Sequence, residues 1–317
     1  MEIQTVASPG LWLGFIGFVL AMLALDLGVF HRQAHSVKVR EAAIWSVVWV
    51  SLALAFNAWI FNAFGADRGV EFLTGYLIEK ALAVDNIFVF LVIFSSFAVP
   101  SALQHRVLFW GILGALLLRA LFIFAGAALL ARFHWVMYVF GAFLIFTGIK
   151  LLVQKEGEMH PEHNPLFRLF TRMIPSVREY HGSHFFVREG GRRFATPLLL
   201  VLICIELTDV IFAIDSIPAI FAVTKDPFIV FTSNIFAILG LRSMFFLLAG
   251  VMDRFHYLKV GLALVLAFVG TKMLLTDIYK IPIAISLAVI ATALGASIVA
   301  SWLRPRETEA PVPEVAR

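Results

Sequence analysis

Long apolar runs separated by short polar stretches dominate this chain, falling at 11–30, 42–64, 72–94, 107–130, 135–153, 197–223, 228–251, 258–276 and 283–303. Each is long enough to cross about 30 Å of hydrocarbon as a helix. The pattern predicts an all-α polytopic membrane protein of about nine transmembrane helices, a single transmembrane domain over 1–303 with a polar tail at 304–317. No Lys or Arg precedes the first run and no small-x-small cleavage site follows it, so it is expected to be a retained span rather than a signal peptide.

Composition supports this class. The 317 residues are 61% hydrophobic and 15% charged, against about 45–50% and about 25% in soluble domains. The formal charge of +4 reflects how basic residues are distributed among the loops. With the amino terminus outside, Arg32, Lys38, Arg40, Arg106, Lys155, Arg168, Arg172, Arg178, Arg188, Arg192, Arg193, Arg254, Lys259, Arg304, Arg306 and Arg317 collect on the inner side. Arg68, Arg132, Lys225 and Lys280 are left outside. The positive-inside rule then predicts N-out, C-in, with 154–195 a cytoplasmic loop. This segregation gives a nucleic-acid role no support. Cys204 is the single cysteine, which excludes an internal disulfide or a CxxC redox pair within one chain.

The sequence also repeats itself. Asp85-Asn-Ile-Phe88 recurs as Asp209-Val-Ile-Phe212, and Phe-Ala-Val follows each at the same distance, at 97–99 and 221–223. The correspondence continues through Leu118-Arg119 and Leu241-Arg242, Arg132–Trp135 and Arg254–Tyr257, and Gly148–Lys150 and Gly270–Lys272. The copies cover about 71–153 and 196–276. Each holds three spans, an odd number, so the second must enter the membrane from the opposite side. Such inverted-topology repeats usually hold a substrate site near the midplane, at their interface. The loop between them carries His160, His163, His181 and His184; it reads as a solvated connector, with metal sensing as the alternative.

The candidate chemistry lies within the apolar runs. Glu79, Asp85 and Asn86 fall in the third, and Glu206, Asp209, Asp215 and Ser216 in the sixth. An ionised side chain at the bilayer centre costs roughly 2.5–3.5 kcal/mol, so five unpartnered carboxylates would cost on the order of 12–17 kcal/mol, more than ordinary folding stability. They must be paired, protonated, hydrated or metal-bound. On a regular helix Glu79 and Asn86 share nearly one face, Glu206 and Asp209 are neighbours, and Asp215 points the other way from Glu206. Pro218 cannot donate to the carbonyl of Ile214, so a kink or break of the helix beside Asp215 is expected, which would let the acids converge.

Arg119 and Arg242 hold matching places in the repeats. They are candidates for counter-ion or gating roles, or for static pairing with the acids. Lys80 could pair with the acids, whereas Lys150 and Lys272, near helix ends, are expected to snorkel. Asp26 and Asn57 are further buried polar candidates, and small residues such as Gly111, Gly114, Gly126 and Gly141 read as helix-packing positions. None of the nine histidines lies mid-span. Carboxylate, amide, hydroxyl and carbonyl oxygens suit hard divalent cations such as Mn²⁺, Mg²⁺ or Ca²⁺ better than copper or zinc.

The segments GYLIEKALAVDNIFVF and PLLLVLICIELTDVIFAIDSIPAIFAVTKDPFIVFTSNIFAILGLRSMFF, with LALDLGVFHR and VLFWGILGALLLRA, resemble the TerC family, and within it the Alx branch, across roughly 11–303. The resemblance implies a multi-pass protein of the bacterial inner membrane, connected with manganese efflux, alkaline-pH response and tellurite resistance. It also implies that the family's acidic motif corresponds to Glu79, Asp85, Asn86, Glu206, Asp209, Asp215 and Ser216. The resulting expectation is a proton-coupled Mn²⁺ exporter, not an enzyme. Its partners would be the lipid bilayer, a divalent ion and protons, with no covalently bound cofactor and an open question of homo-oligomerisation. The alternatives are a non-transporting component of a stress-resistance, redox-modulating or metal-insertion complex, and lysine-type efflux.

Overall fold

The computed structural model describes residues 5–28, 39–133, 135–153, 175–177, 179–189, 191–249 and 257–303. Within these, the side chains of Asp26, Leu27, Asp85, Phe88, Ser96, Glu189 and Asp215 lie outside the described residues. The apolar runs are helical, as expected of segments that must satisfy their own backbone in lipid. The helices are α1 (Pro9–Gly28), α2 (Val39–Phe64), α3 (Ala66–Ser96), α4 (Ser101–Arg132), α5 (Val136–Val153), α6 (Pro197–Phe221), α7 (Pro227–Leu239), α8 (Leu241–Leu248), α9 (Leu258–Leu274) and α10 (Ile283–Leu303). A small antiparallel hairpin, β1 (Phe186–Glu189) and β2 (Arg192–Ala195), precedes α6.

Five of these helices, α2, α4, α5, α6 and α10, are long and apolar enough to cross a membrane, and a sixth span arises if α7 and α8 are taken together. α3 is longer still, at 31 residues, but Asp67, Glu71, Glu79, Lys80 and Asp85 interrupt its apolarity. The chain is therefore an all-α polytopic membrane protein. Its outward surface is correspondingly apolar: Leu13, Leu117, Leu121, Phe146 and Trp302 are all more than half exposed.

α3 and α7 lie at the centre. Every residue of α7 is buried, and α3 packs on α2, α6, α7 and α10, while α4 packs on α6 and α7. A second cluster joins α5 to α9, whose backbones touch. A Cβ on Gly141 would stand 2.8 Å from the carbonyl oxygen of Gly270, and one on Gly148 2.8 Å from that of Ala263. Only glycine permits that approach, the small-residue packing that drives helix association in lipid.

Local chemistry sets the ends of the central helices. Asp226 caps α7 by accepting from the Phe228 N–H at 2.9 Å, and Pro227 follows in the first turn, where its missing N–H costs nothing. The same carboxylate accepts from the Val6 N–H at 2.8 Å and the Thr5 hydroxyl at 3.0 Å, tying the segment before α1 over the start of α7. Beside it, Glu71 accepts from Thr224 and Arg68, each at 2.7 Å. The segment before the hairpin is held by Tyr180, which donates to the Phe97 carbonyl at 2.7 Å and whose phenol pKa is raised by burial.

Two expectations are corrected here. α6 is not broken at Pro218; it runs on through that residue to Phe221. So close to the helix end, the proline forfeits one intrahelical bond and leaves little helix beyond it to redirect. The discontinuity lies at Gly240 instead, where α7 and α8 meet at 41°. Lys272 does not snorkel but is buried, donating to Ser286 on α10 at 2.9 Å; Lys150 is exposed.

Candidate functional site

The site forms where α3, α4 and α6 meet. Glu79 on α3 has no exposed surface, Arg119 on α4 has 1%, and Asp209 and Ser216 on α6 have 2% and 1%. The Arg119 guanidinium binds all three partners. Nη1 donates to Glu79 Oε1 and, at 3.0 Å, to Ser216 Oγ. Nη2 donates to Asp209 Oδ1 at 3.2 Å and Nε to Asp209 Oδ2 at 3.5 Å, so Asp209 is gripped in the two-pronged manner that a planar guanidinium allows. With both acids ionised, one positive charge faces two negative ones.

Polar atoms in this part of the bundle are left over. Glu79 Oε2, Asn86 Oδ1 and the Tyr76 hydroxyl on α3, Glu206 Oε2 on α6, and both amide atoms of Asn234 on α7 are buried and have no hydrogen-bond partner among the described residues. Buried polar atoms are ordinarily satisfied, so such a set calls for water, an ion or a functional explanation. Five of the six are oxygens, the donor type that hard cations prefer. Among the described residues no group of three or more His, Cys, Asp or Glu side chains could hold a metal ion.

The structure thus brings together Glu79, Asp209, Ser216 and Arg119. It buries Asn86 on the same helix as Glu79, but places Glu206 differently from Asp209. The Glu206 carboxylate rests on α4 at Gly114, where a Cβ would stand 2.0 Å from its Oε1. Gly114 therefore makes room for a carboxylate, beyond serving as a packing residue. Arg242 is buried at the second position of α8. The side chains of Asp85, Asp215 and Asp26 lie outside the described residues. Asn57 is buried with Oδ1 unpartnered among the described residues.

The helix break adds a feature that residue types did not suggest. Lys80 Nζ donates to the Ala237 carbonyl at 3.3 Å, in the last turn of α7, whose terminal carbonyls lack partners within the helix. A Cβ on Gly240 would stand 2.9 Å from Lys80 Nζ and 3.1 Å from Trp49 Cβ, so the bend is built around the absence of a side chain. Gly75 makes a matching close approach to Ser233 Oγ, at 2.9 Å from its would-be Cβ. This contact sets α3 alongside the Thr232-Ser233-Asn234 triplet. That polar triplet in an otherwise apolar helix was the signal that could have marked Asn234.

Comparison with known proteins gives the family. Residues 64–309 match the model of the integral membrane protein TerC family. This chain belongs to the TerC family. The match takes in Glu79, Arg119, Asp209 and Ser216. Among TerC-family relatives, an "Uncharacterized membrane protein STKORF319" of Myxococcus xanthus is 63% identical, with 98% of each chain covered. A protein of Escherichia coli (strain K12) named "Putative membrane-bound redox modulator Alx" is 52% identical over 96% of this chain and 98% of its own. An "Uncharacterized membrane protein" of Rickettsia bellii is 41% identical over 92% of this chain and 97% of its own. No solved structure matches the chain.

Proposed function

We propose that this TerC-family chain is a bacterial inner-membrane exporter of a hard divalent cation, with Mn²⁺ as the substrate and protons as the counter-flow, acting in metal homeostasis and alkaline or tellurite stress. The observation that carries this reading is the buried Arg119 shared between Glu79 on α3 and Asp209 and Ser216 on α6. The two carboxylates come from the two sequence copies, so the arginine sits where the repeats meet, the usual place for a transporter's substrate site. The pairing of α3 with α6 and of α5 with α9 sets the first and third helices of one copy against those of the other. This pairing suits an inverted repeat, and we take the amino terminus to lie outside and the spans to number nine, α7 and α8 forming one.

In this mechanism Arg119 is the resident cation of an unloaded site. An arriving Mn²⁺ meets oxygens already gathered, those of Glu79, Asp209 and Ser216, with Asn86 and Glu206 nearby in the bundle and Asp85 and Asp215 as further ligands. As the guanidinium withdraws, the ion takes over neutralisation of the acids. Moving a divalent ion out against an inside-negative potential costs about 4.6 kcal/mol per 100 mV, twice the single-charge figure. Protons returning to the same carboxylates supply that work and displace the metal.

A second reading has its own support. Arg119 already satisfies one oxygen of Glu79 and both of Asp209, which suits a static ion pair in a non-transporting membrane component. A redox-modulating role, as the relative's name has it, would need a partner thiol or cofactor, because Cys204 is this chain's only cysteine. Mn²⁺ flux into proteoliposomes under an imposed pH gradient separates the readings. Wild type is expected to transport, and Glu79→Gln and Asp209→Asn to lose most of that flux. No flux in wild type refutes export, and flux equal to that of wild type in both variants takes these carboxylates out of the ion path.

A further inference from the structure

Outside the helical bundle, the hairpin β1–β2 places two arginines face to face. The register sets Arg188 directly opposite Arg193 and Phe186 opposite Ala195, on one face of the ribbon, while Arg192 lies on the other. Directly opposed side chains have Cβ atoms about 4.5–5.5 Å apart, and like charges so placed repel. Neither guanidinium has a hydrogen-bond or ion-pair partner among the described residues. Both line an open cleft of about 350 Å³ with Pro175, Phe186, Val187 and Ala195. Such a pair repels itself until a shared anion lies between the two forks, which match a phosphate.

The position of the hairpin selects the anion. Thr196, at the start of α6, donates its hydroxyl to the His184 carbonyl at 2.7 Å and its N–H to the Phe185 carbonyl at 3.0 Å. Arg106 on α4 donates to Ser183 at 2.9 Å and stands over the Phe185 ring at 5.3 Å. The ribbon is therefore fastened to the ends of two helices long and apolar enough to span. Arg193, four residues before Pro197, is within about 14 Å of the start of α6 along the chain. Phe186, on the arginine face, is 59% exposed, and Trp110, whose ring lies 6.4 Å from that of Phe185, is 45% exposed. Exposed aromatics near the ends of spans mark the level of lipid headgroups; Trp110 lies in the third turn of α4, and Phe186 on the ribbon beside the start of α6.

We propose that the Arg188/Arg193 face of the hairpin binds the phosphate of an anionic phospholipid headgroup, with Phe186 entering the acyl boundary beside it. The site is independent of the ion path. Each basic residue near an anionic surface is worth about fivefold in affinity, so the pair is worth about thirtyfold.

The test is native mass spectrometry of the full chain released from phosphatidylglycerol or phosphatidylcholine nanodiscs. Wild type should retain phosphatidylglycerol preferentially, Arg188→Gln/Arg193→Gln should lose that preference by about thirtyfold, and Arg192→Gln, on the opposite face, should keep it. Arg188→Lys/Arg193→Lys, which preserves charge with less change to the ribbon, should retain most of the preference and guards against a folding defect. Equal lipid retention in the double Gln variant, or the same loss in Arg192→Gln, overturns the proposal. Inorganic phosphate competing lipid off at equal concentration would show a soluble-anion site and overturn the lipid assignment.

Discussion

Removing the charge of Arg119 is the most searching test of the site. In Arg119→Met, Glu79 and Asp209 stay buried, at 0% and 2% exposure, and lose the donors that occupy Glu79 Oε1 and both oxygens of Asp209. Breaking a buried ion pair by removing one partner costs about 3–5 kcal/mol, because the remaining charge is left uncompensated. The same principle says that a whole triad replaced by well-packed hydrophobic groups of similar volume is nearly neutral. Glu79→Met/Arg119→Met/Asp209→Leu should therefore recover most of the loss, a coupling of at least about 2 kcal/mol. Thermal unfolding in detergent, followed through the seven tryptophans, reads this directly. The single variant should fall by on the order of 10 °C, and the triple variant should return to within a few degrees of wild type. A single variant as stable as wild type, or a triple variant no better than the single, would refute the assignment of Arg119 as the charge that holds these acids.

Three further outcomes are expected. Gly148→Leu must push α5 off the Ala263 carbonyl, 2.8 Å from its Cβ, and should cost about 1–3 kcal/mol as overpacking; Gly14→Leu, with nothing within 4 Å, should cost almost nothing in the same unfolding assay. Asp226→Ala removes the acceptor for Val6, Thr5 and Phe228; losing the cap alone costs about 1 kcal/mol, and amide hydrogen exchange should rise at residues 5–8 and in the first turn of α7, whereas unchanged exchange there would refute the tie. Gly114→Ala displaces the Glu206 carboxylate, the flexible end of a side chain, so stability should change by less than about 1.5 kcal/mol while Mn²⁺ flux in proteoliposomes falls; unchanged flux would take Glu206 out of the ion path.

The site was legible in the sequence to the extent that charge stands out against an apolar background. Glu79, Asp209 and Arg119 each break a hydrophobic run, and so each could be picked out one by one. Their grouping could not. Helical spacing made Glu206 a neighbour of Asp209, and it is one, but spacing could not say that Arg119 on another helix takes Asp209 while the Glu206 carboxylate rests on Gly114. Asn234 and Lys80 draw their interest from what lies beside them, namely α3 against α7 and the carbonyl of Ala237 at the bend.

The sequence by itself determined that this is a helical membrane protein, because a long apolar run can satisfy its backbone in lipid only by bonding within itself. It also determined that carboxylates lie inside those runs, since each is written at its own position. Only the tertiary structure decided which acid meets which base, that the central discontinuity falls at Gly240 rather than Pro218, and that Lys272 is buried. These outcomes depend on how each helix is rotated and how closely its neighbours approach. That is settled by contacts such as Gly141 on Gly270 and Gly75 on Ser233, between residues far apart in the chain, which no local pattern encodes.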